Sequence, residues 1–207
     1  MIFGSYNRKR KADPEYEAKL GREMMERPER FIQSILFDSQ DRKISGFKFK
    51  TDEAFNPDFR AYTDALVGDT DIKVIHLMRR NLVDQYISHW MVLNQTGVTL
   101  IHSEDQRPKM QPFKADIDHA IEYCREVVAR EKQSIELYGG HRSIKVVYEN
   151  LVEKDEHRAE TLNFLGVPIR PLETGIKKII KDSRALVLNF DDLVDGLRRA
   201  GLAGRLS

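Results

Sequence analysis

At 207 residues, 41% hydrophobic and 32% charged, the chain has the make-up of one globular α/β domain and is short for two. Its 34 Lys and Arg nearly balance 33 Asp and Glu, giving +1, which excludes a global field that recruits nucleic acid or anionic membrane; any anion site has to be built locally. The one cysteine, Cys124, excludes an internal disulfide, and the lack of a nearby His/Cys cluster argues against structural zinc. There is no run near the ~20 apolar residues of a membrane helix and no signal-peptide core, so the reading is a cytoplasmic protein with no membrane partner.

In chain order, a basic tract (NRKRK, 7–11) reads as a flexible arm. Helices are expected over about 14–26 and 28–37, divided by Pro28. KISGFKFK (43–50) carries Ile44, Phe47 and Phe49 in a β-like run, so a strand is expected over 44–49, with Lys48 and Lys50 alternating along one of its faces. A helix over 56–68 ends at Gly68, and β-branched and apolar residues predict a strand over 72–78. A helix follows over about 82–95. The polar segment 94–114, with Pro108 and Pro112, reads as a long, lid-like loop.

A helix is then expected over about 115–138, with Ile117, Ala120, Ile121, Cys124, Val127, Val128 and Ile135 on its apolar face. Gly139–Gly140 breaks it, and a third strand is expected over 143–148. A short helix over 156–168 is stopped by Gly166 and Pro168. A basic stretch over 174–184 precedes a final helix over 189–204, capped by Asn189. Strands alternating with helices predict a parallel sheet with helices on its faces, in a single domain spanning 1–207.

The junction IKVIHLMRRNLVDQYISHW (72–90) draws most interest. A helix N-terminus there points its free N–H groups at whatever lies beyond the strand's carboxyl end. Asn81 is placed to cap it, with Asp84 three residues on as in a capping box. Arg80 beside that partial positive charge is awkward unless an anion lies between them, and Ser88 falls two turns past Asn81 on the capping side. An arginine fork and a hydroxyl suit one phosphate, although on spacing alone solvated arginines and a surface serine serve equally well.

RNLVDQYIS (80–88) resembles the 3′-phosphate-binding segment of the sulfotransferase family, with Leu82 in place of the usual proline. VVYENLVEKDEHRAETLNFLGVP (146–168) is similar to that family's tyrosine–acid–x–leucine segment and following helix, and 174–198 resembles the ending of its bacterial and carbohydrate-type members. The resemblance implies a three-layer, P-loop-like fold, and transfer of a sulfuryl group from 3′-phosphoadenosine 5′-phosphosulfate (PAPS) to a hydroxyl of a carbohydrate or small metabolite. It implies Arg80 and Ser88 on the 3′-phosphate, with Lys48, Lys50, Lys177 and Lys178 as further cofactor-binding residues; Lys181 and Arg184 lie in the same basic stretch. Asp52, after Lys50 and Thr51, stands where one branch of the family has its base. A solvated turn residue is the plainer role for Asp52, and a satisfied core histidine the plainer role for His76. His89 and Trp90 line an acceptor cleft or pack, and Cys124 reads as inert core.

The family's Gly-rich 5′-phosphosulfate loop and the strand before it find no counterpart in this sequence. The expectation is a sheet missing its first central strand, an apolar groove beside 72–78, and either a truncated gene or a shortened paralogue, with homodimerisation as one outcome. Two other functions stay open: a non-catalytic nucleotide-binding or interaction module, and a nucleotide-kinase-like phosphotransferase. The second is weakened because no G-x-x-x-x-G-K-[ST] occurs.

Overall fold

The computed structural model describes residues 15, 21–23, 25–37, 44–172 and 174–206. The basic tract 7–11 and much of the expected helix 14–26 lie outside these residues; residues 21–23 and 25–26 are helical. The principal elements are α1 (Pro28–Phe37), α2 (Thr51–Ala54), α3 (Arg60–Gly68), β1 (Val74–Met78), α4 (Leu82–Met91), α5 (Ile117–Leu137), β2 (Ser143–Val147), α6 (Tyr148–Glu153), α7 (Asp155–Leu165) and α8 (Phe190–Arg199). β1 and β2 pair in parallel, so the chain is α/β. The residues fall into two compact units, one comprising 1–76, 131–144 and 161–168, the other 77–130, 145–160 and 169–207.

The strand expected over 44–49 does not form: residues 44–50 have no regular structure. The alternation behind that expectation is present, with Phe47 and Phe49 half-buried and Lys48 and Lys50 exposed. Period-two burial needs only an extended chain, whereas a strand also needs a neighbour for its N–H and C=O groups. None of the described strands pairs with this segment. Aromatic packing holds it instead, with the Phe49 and Phe47 rings 5.3 and 6.2 Å from that of Tyr62.

Tyr62 centres the first unit, buried with Phe31, Ile32, Leu66 and Tyr138. The end of α7 belongs here too. Gly166, at φ 79°, adopts the left-handed conformation that closes a helix, its N–H reaching the Asn163 carbonyl and the Val167 N–H that of Leu162. The Lys73 ammonium adds 3.0 and 3.2 Å bonds to the Phe164 and Leu165 carbonyls, a cation at the negative end of the helix.

In the second unit α4 is buried through Leu82, Val83, Tyr86, Ile87 and Met91 against Ala120 and Cys124 of α5 and Leu193 and Leu197 of α8. The helix expected to 95 stops at Met91, and a π-helical turn, Val92–Thr96, ends in Gly97. The segment 94–114 is fastened rather than free. Ile101 bridges Lys177, Phe113 bridges Val187, and the Phe113 ring stacks on Trp90 at 3.6 Å. Trp90 is thus a packing residue.

Asn189 does not cap α8 through its side chain. Its Oδ1 accepts the Ala115 N–H at 2.8 Å and its Nδ2 donates to the Ala115 carbonyl at 3.0 Å, closing a two-bond ring on one residue. The backbone of Ala115, itself buried, has the stronger claim because its polar groups are shielded from water. Asn189→Ala is therefore expected to lower unfolding free energy by about 1–3 kcal/mol, the range for stranding buried backbone groups, whereas loss of a surface cap alone gives the low end; urea melts distinguish them.

Candidate functional site

Because β1 and β2 are parallel, their carboxyl ends lie at one edge of the sheet, and the residues that follow each strand meet. Asn81 caps α4, its Oδ1 accepting the Asp84 N–H at 3.0 Å. The other half of the expected box is filled from elsewhere. Glu149 Oε1 accepts the Asn81 N–H at 3.3 Å, and Oε2 accepts the Arg80 N–H at 3.0 Å. One residue on, the Arg80 guanidinium donates to Asn150 Oδ1 at 2.8 Å; one residue back, the Arg79 guanidinium lies 4.5 Å over the Tyr148 ring. Residues 79–81 are thus matched by 148–150, and Arg205 donates to the Arg79 carbonyl.

The anion that the awkward placement of Arg80 demanded is built in, at least for the backbone: it is the Glu149 carboxylate. Burial pulls its pKa upward. Hydrogen bonds from the Arg80 and Asn81 N–H groups, with the nearby Arg79 charge, outweigh that and hold the carboxyl below its ordinary value. The guanidiniums are treated differently. Arg60, Arg107, Arg130, Arg158, Arg184 and Arg198 each pair with a carboxylate. Arg79 rests on an aromatic face and Arg80, itself exposed, on a neutral amide.

Ser88 is half-buried on α4, seven residues past Asn81 and four past Asp84, so the three share one side of the helix. Lys178 reaches this side, its Nζ 3.8 Å from Asp84 Oδ2. The basic stretch is held by the 104–107 turn: Arg107 donates to the Lys178 and Ile179 carbonyls, and Glu104 bonds Arg107 and Lys181. Lys177 is exposed, its N–H bonded to the Ile101 carbonyl at 2.9 Å. Arg80, Ser88, Lys177 and Lys178 therefore all belong to the second unit.

Lys48, Lys50 and Asp52 belong to the first. Lys50 is the N-cap residue of α2, its N–H held by Glu53 at 2.8 Å, and Asp52 is exposed in the first turn of that four-residue helix. His76 is buried beside Tyr138, and His89 stacks on Tyr123 at 4.7 Å. Burial pushes the Cys124 thiol up to about 11, which leaves it protonated and un-nucleophilic at neutral pH.

In comparisons with known proteins, no family model, no curated protein and no solved structure matches the chain. The resemblance to sulfotransferases rests on the residues themselves. A shallow depression along α5, lined by Asp118, Ile121, Glu122, Arg125, Glu126 and Ala129, contains none of the candidate site residues. No described helix is long and apolar enough to cross a membrane, and the described residues form no group of three metal-ligating side chains.

Sequence reasoning assigned no role to Tyr148, Glu149 or Asn150. The signal lay in YEN directly after one strand and RRN directly after another, in a chain expected to place those strands in parallel.

Proposed function

We propose that the chain is a sulfotransferase-type protein whose seam at Arg80 holds the 3′-phosphate of 3′-phosphoadenosine 5′-phosphosulfate. The observation that carries this reading is convergence: Arg80 and Ser88 come from one sequence motif and Lys178 from another, all three belong to one compact unit, and Lys178 reaches the first turn of the helix that Arg80 precedes. The donor set suits a phosphomonoester. An exposed guanidinium offers a planar fork, Ser88 a hydroxyl, and Lys177 and Lys178 mobile point charges. The fold behind this reading is a three-layer, P-loop-like parallel sheet of which β1 and β2 form part.

When bound, the co-substrate supplies the sulfuryl group. On the chain's side, Arg80 and Ser88 orient the nucleotide, and Lys177 and Lys178 add positive charge within the same unit. The sequence has no Gly-rich phosphate loop, which favours a second reading, a binding module that keeps the 3′-phosphate grip without transfer.

Calorimetry at one fixed salt concentration tests the shared core of both readings. 3′-Phosphoadenosine 5′-phosphate is expected to bind more tightly than AMP, which lacks the 3′-phosphate. Arg80→Ala should weaken the bisphosphate roughly ten- to a hundredfold, from ~1.5–3 kcal/mol per hydrogen bond to a charged group, and Ser88→Ala should weaken it less. Equal binding of AMP and the bisphosphate overturns the nucleotide reading. Sulfuryl transfer to a sugar hydroxyl, assayed with the labelled co-substrate, separates enzyme from module.

A further inference from the structure

Every charge at the seam has a partner, but the partners differ in kind. The Glu149 carboxylate is spent on two backbone N–H groups, those of Arg80 and Asn81. The Arg80 guanidinium, one residue away in contact, is tethered through Nη2 to the Asn150 amide oxygen at 2.8 Å. An amide oxygen accepts the bond without cancelling the charge, and one Nη2–H of five guanidinium donors is used in it. A carboxylate in the same place would form an ion pair, as Arg30, Arg60, Arg107, Arg130, Arg158, Arg184 and Arg198 do with theirs. The position thus has an acceptor that fixes the direction of the guanidinium and leaves its full charge facing outward.

We infer that Asn150 is a positioning residue for anion binding: its neutral amide holds Arg80 aimed and uncancelled for a phosphomonoester. This rests on the reading of the seam as a phosphate site and adds the residue that tunes it. The charge argument has a sharp consequence. For hydrogen bonding alone Asn150→Asp is the conservative change, because it keeps the acceptor, and Asn150→Ala is the damaging one. For anion binding the order reverses. Asp pairs with Arg80, neutralises it and repels the incoming phosphate, whereas Ala only frees the guanidinium to wander.

The test is titration of the full-length chain and of Asn150→Asp and Asn150→Ala with 3′-phosphoadenosine 5′-phosphate and, in parallel, with inorganic phosphate at one salt concentration, together with thermal melts of all three. The expected result is that Asn150→Asp lowers affinity roughly tenfold or more and Asn150→Ala about threefold, while Asn150→Asp melts no lower than Asn150→Ala. An aspartate variant that binds either probe as well as, or better than, the alanine variant overturns the inference and leaves Asn150 a plain structural acceptor. That outcome, with wild type still preferring the bisphosphate to AMP, leaves the nucleotide reading standing. The expected order with inorganic phosphate, and no preference over AMP, sinks the nucleotide reading while Asn150 keeps its role.

Discussion

Gly196→Val is expected to lower the unfolding free energy by about 3 kcal/mol, the upper end of the usual overpacking range, and the melting temperature by about 6–12 °C at this chain length. Gly196 lies inside α8, where glycine is about 1 kcal/mol worse than alanine on propensity alone. The reason it is there is space. A Cβ at 196 would sit 2.4 Å from Ile117 Cγ2, with Ile121 Cδ1 at 4.0 Å, so α5 and α8 meet at this point through the missing side chain. Ile117 cannot easily swing aside, because branching at Cβ leaves one strongly preferred rotamer in a helix. Gly196→Ala gains propensity and loses packing, and the clash decides the sign, leaving a net loss of about 1 kcal/mol. Pairing it with Ile117→Ala should give a double variant less damaged than the sum of the two single ones. A Gly196→Ala protein that melts above wild type would show that the helices separate at little cost.

The same contact shows how far pattern reading reaches. The helices at 117–137 and 190–199 and the strands at 74–78 and 143–147 were legible because each has a period or a β-branched run of its own. The stop at Gly166 was legible because a left-handed residue is a local demand. Gly196 was not, since within a helical pattern a glycine that admits a neighbouring helix looks like any other. Residues 44–50 misled for the related reason that alternating burial reports an extended chain and says nothing of a partner strand. Asn189 misled because two acceptable uses of one amide competed, and the buried backbone of Ala115 won over the helix end.

The candidate site divides in the same way. Arg80, Asn81 and Ser88 carry a local signature, a strand passing into a capped helix, and the cap is where the spacing put it. The partners of that junction come from about seventy residues downstream, and only strand pairing brings them together. On β1, beside which the sequence led to the expectation of an apolar groove, Ile75 is 38% and Leu77 57% exposed.

Glu149→Gln is expected to destabilise the chain by about 1–2 kcal/mol at neutral pH and to change the shape of its acid limb. The glutamine keeps one oxygen for one of the two N–H groups and turns an NH2 toward the other, so either Arg80 or Asn81 loses its acceptor along with the formal charge at the start of α4. Partial exposure of the carboxylate keeps the figure at the lower end for a charged acceptor. The pH dependence follows from the direction of the pKa displacement. In the folded chain Glu149 titrates below its ordinary value of 4.5, so the unfolded chain binds the proton more readily. The stabilisation is therefore fully present above pH 4.5 and is lost as pH falls through the lower, folded value. The difference between wild type and Glu149→Gln should accordingly be constant from about pH 6 to 8 and shrink below about pH 4, where the protonated glutamic acid no longer offers two charged acceptors. Urea melts of both proteins across that range give the curve directly, and hydrogen exchange at the Arg80 and Asn81 amides reports the site itself. Parallel stability curves down to pH 3, or amides equally protected in the variant, would remove Glu149 from the seam and leave α4 held by Asn81 alone.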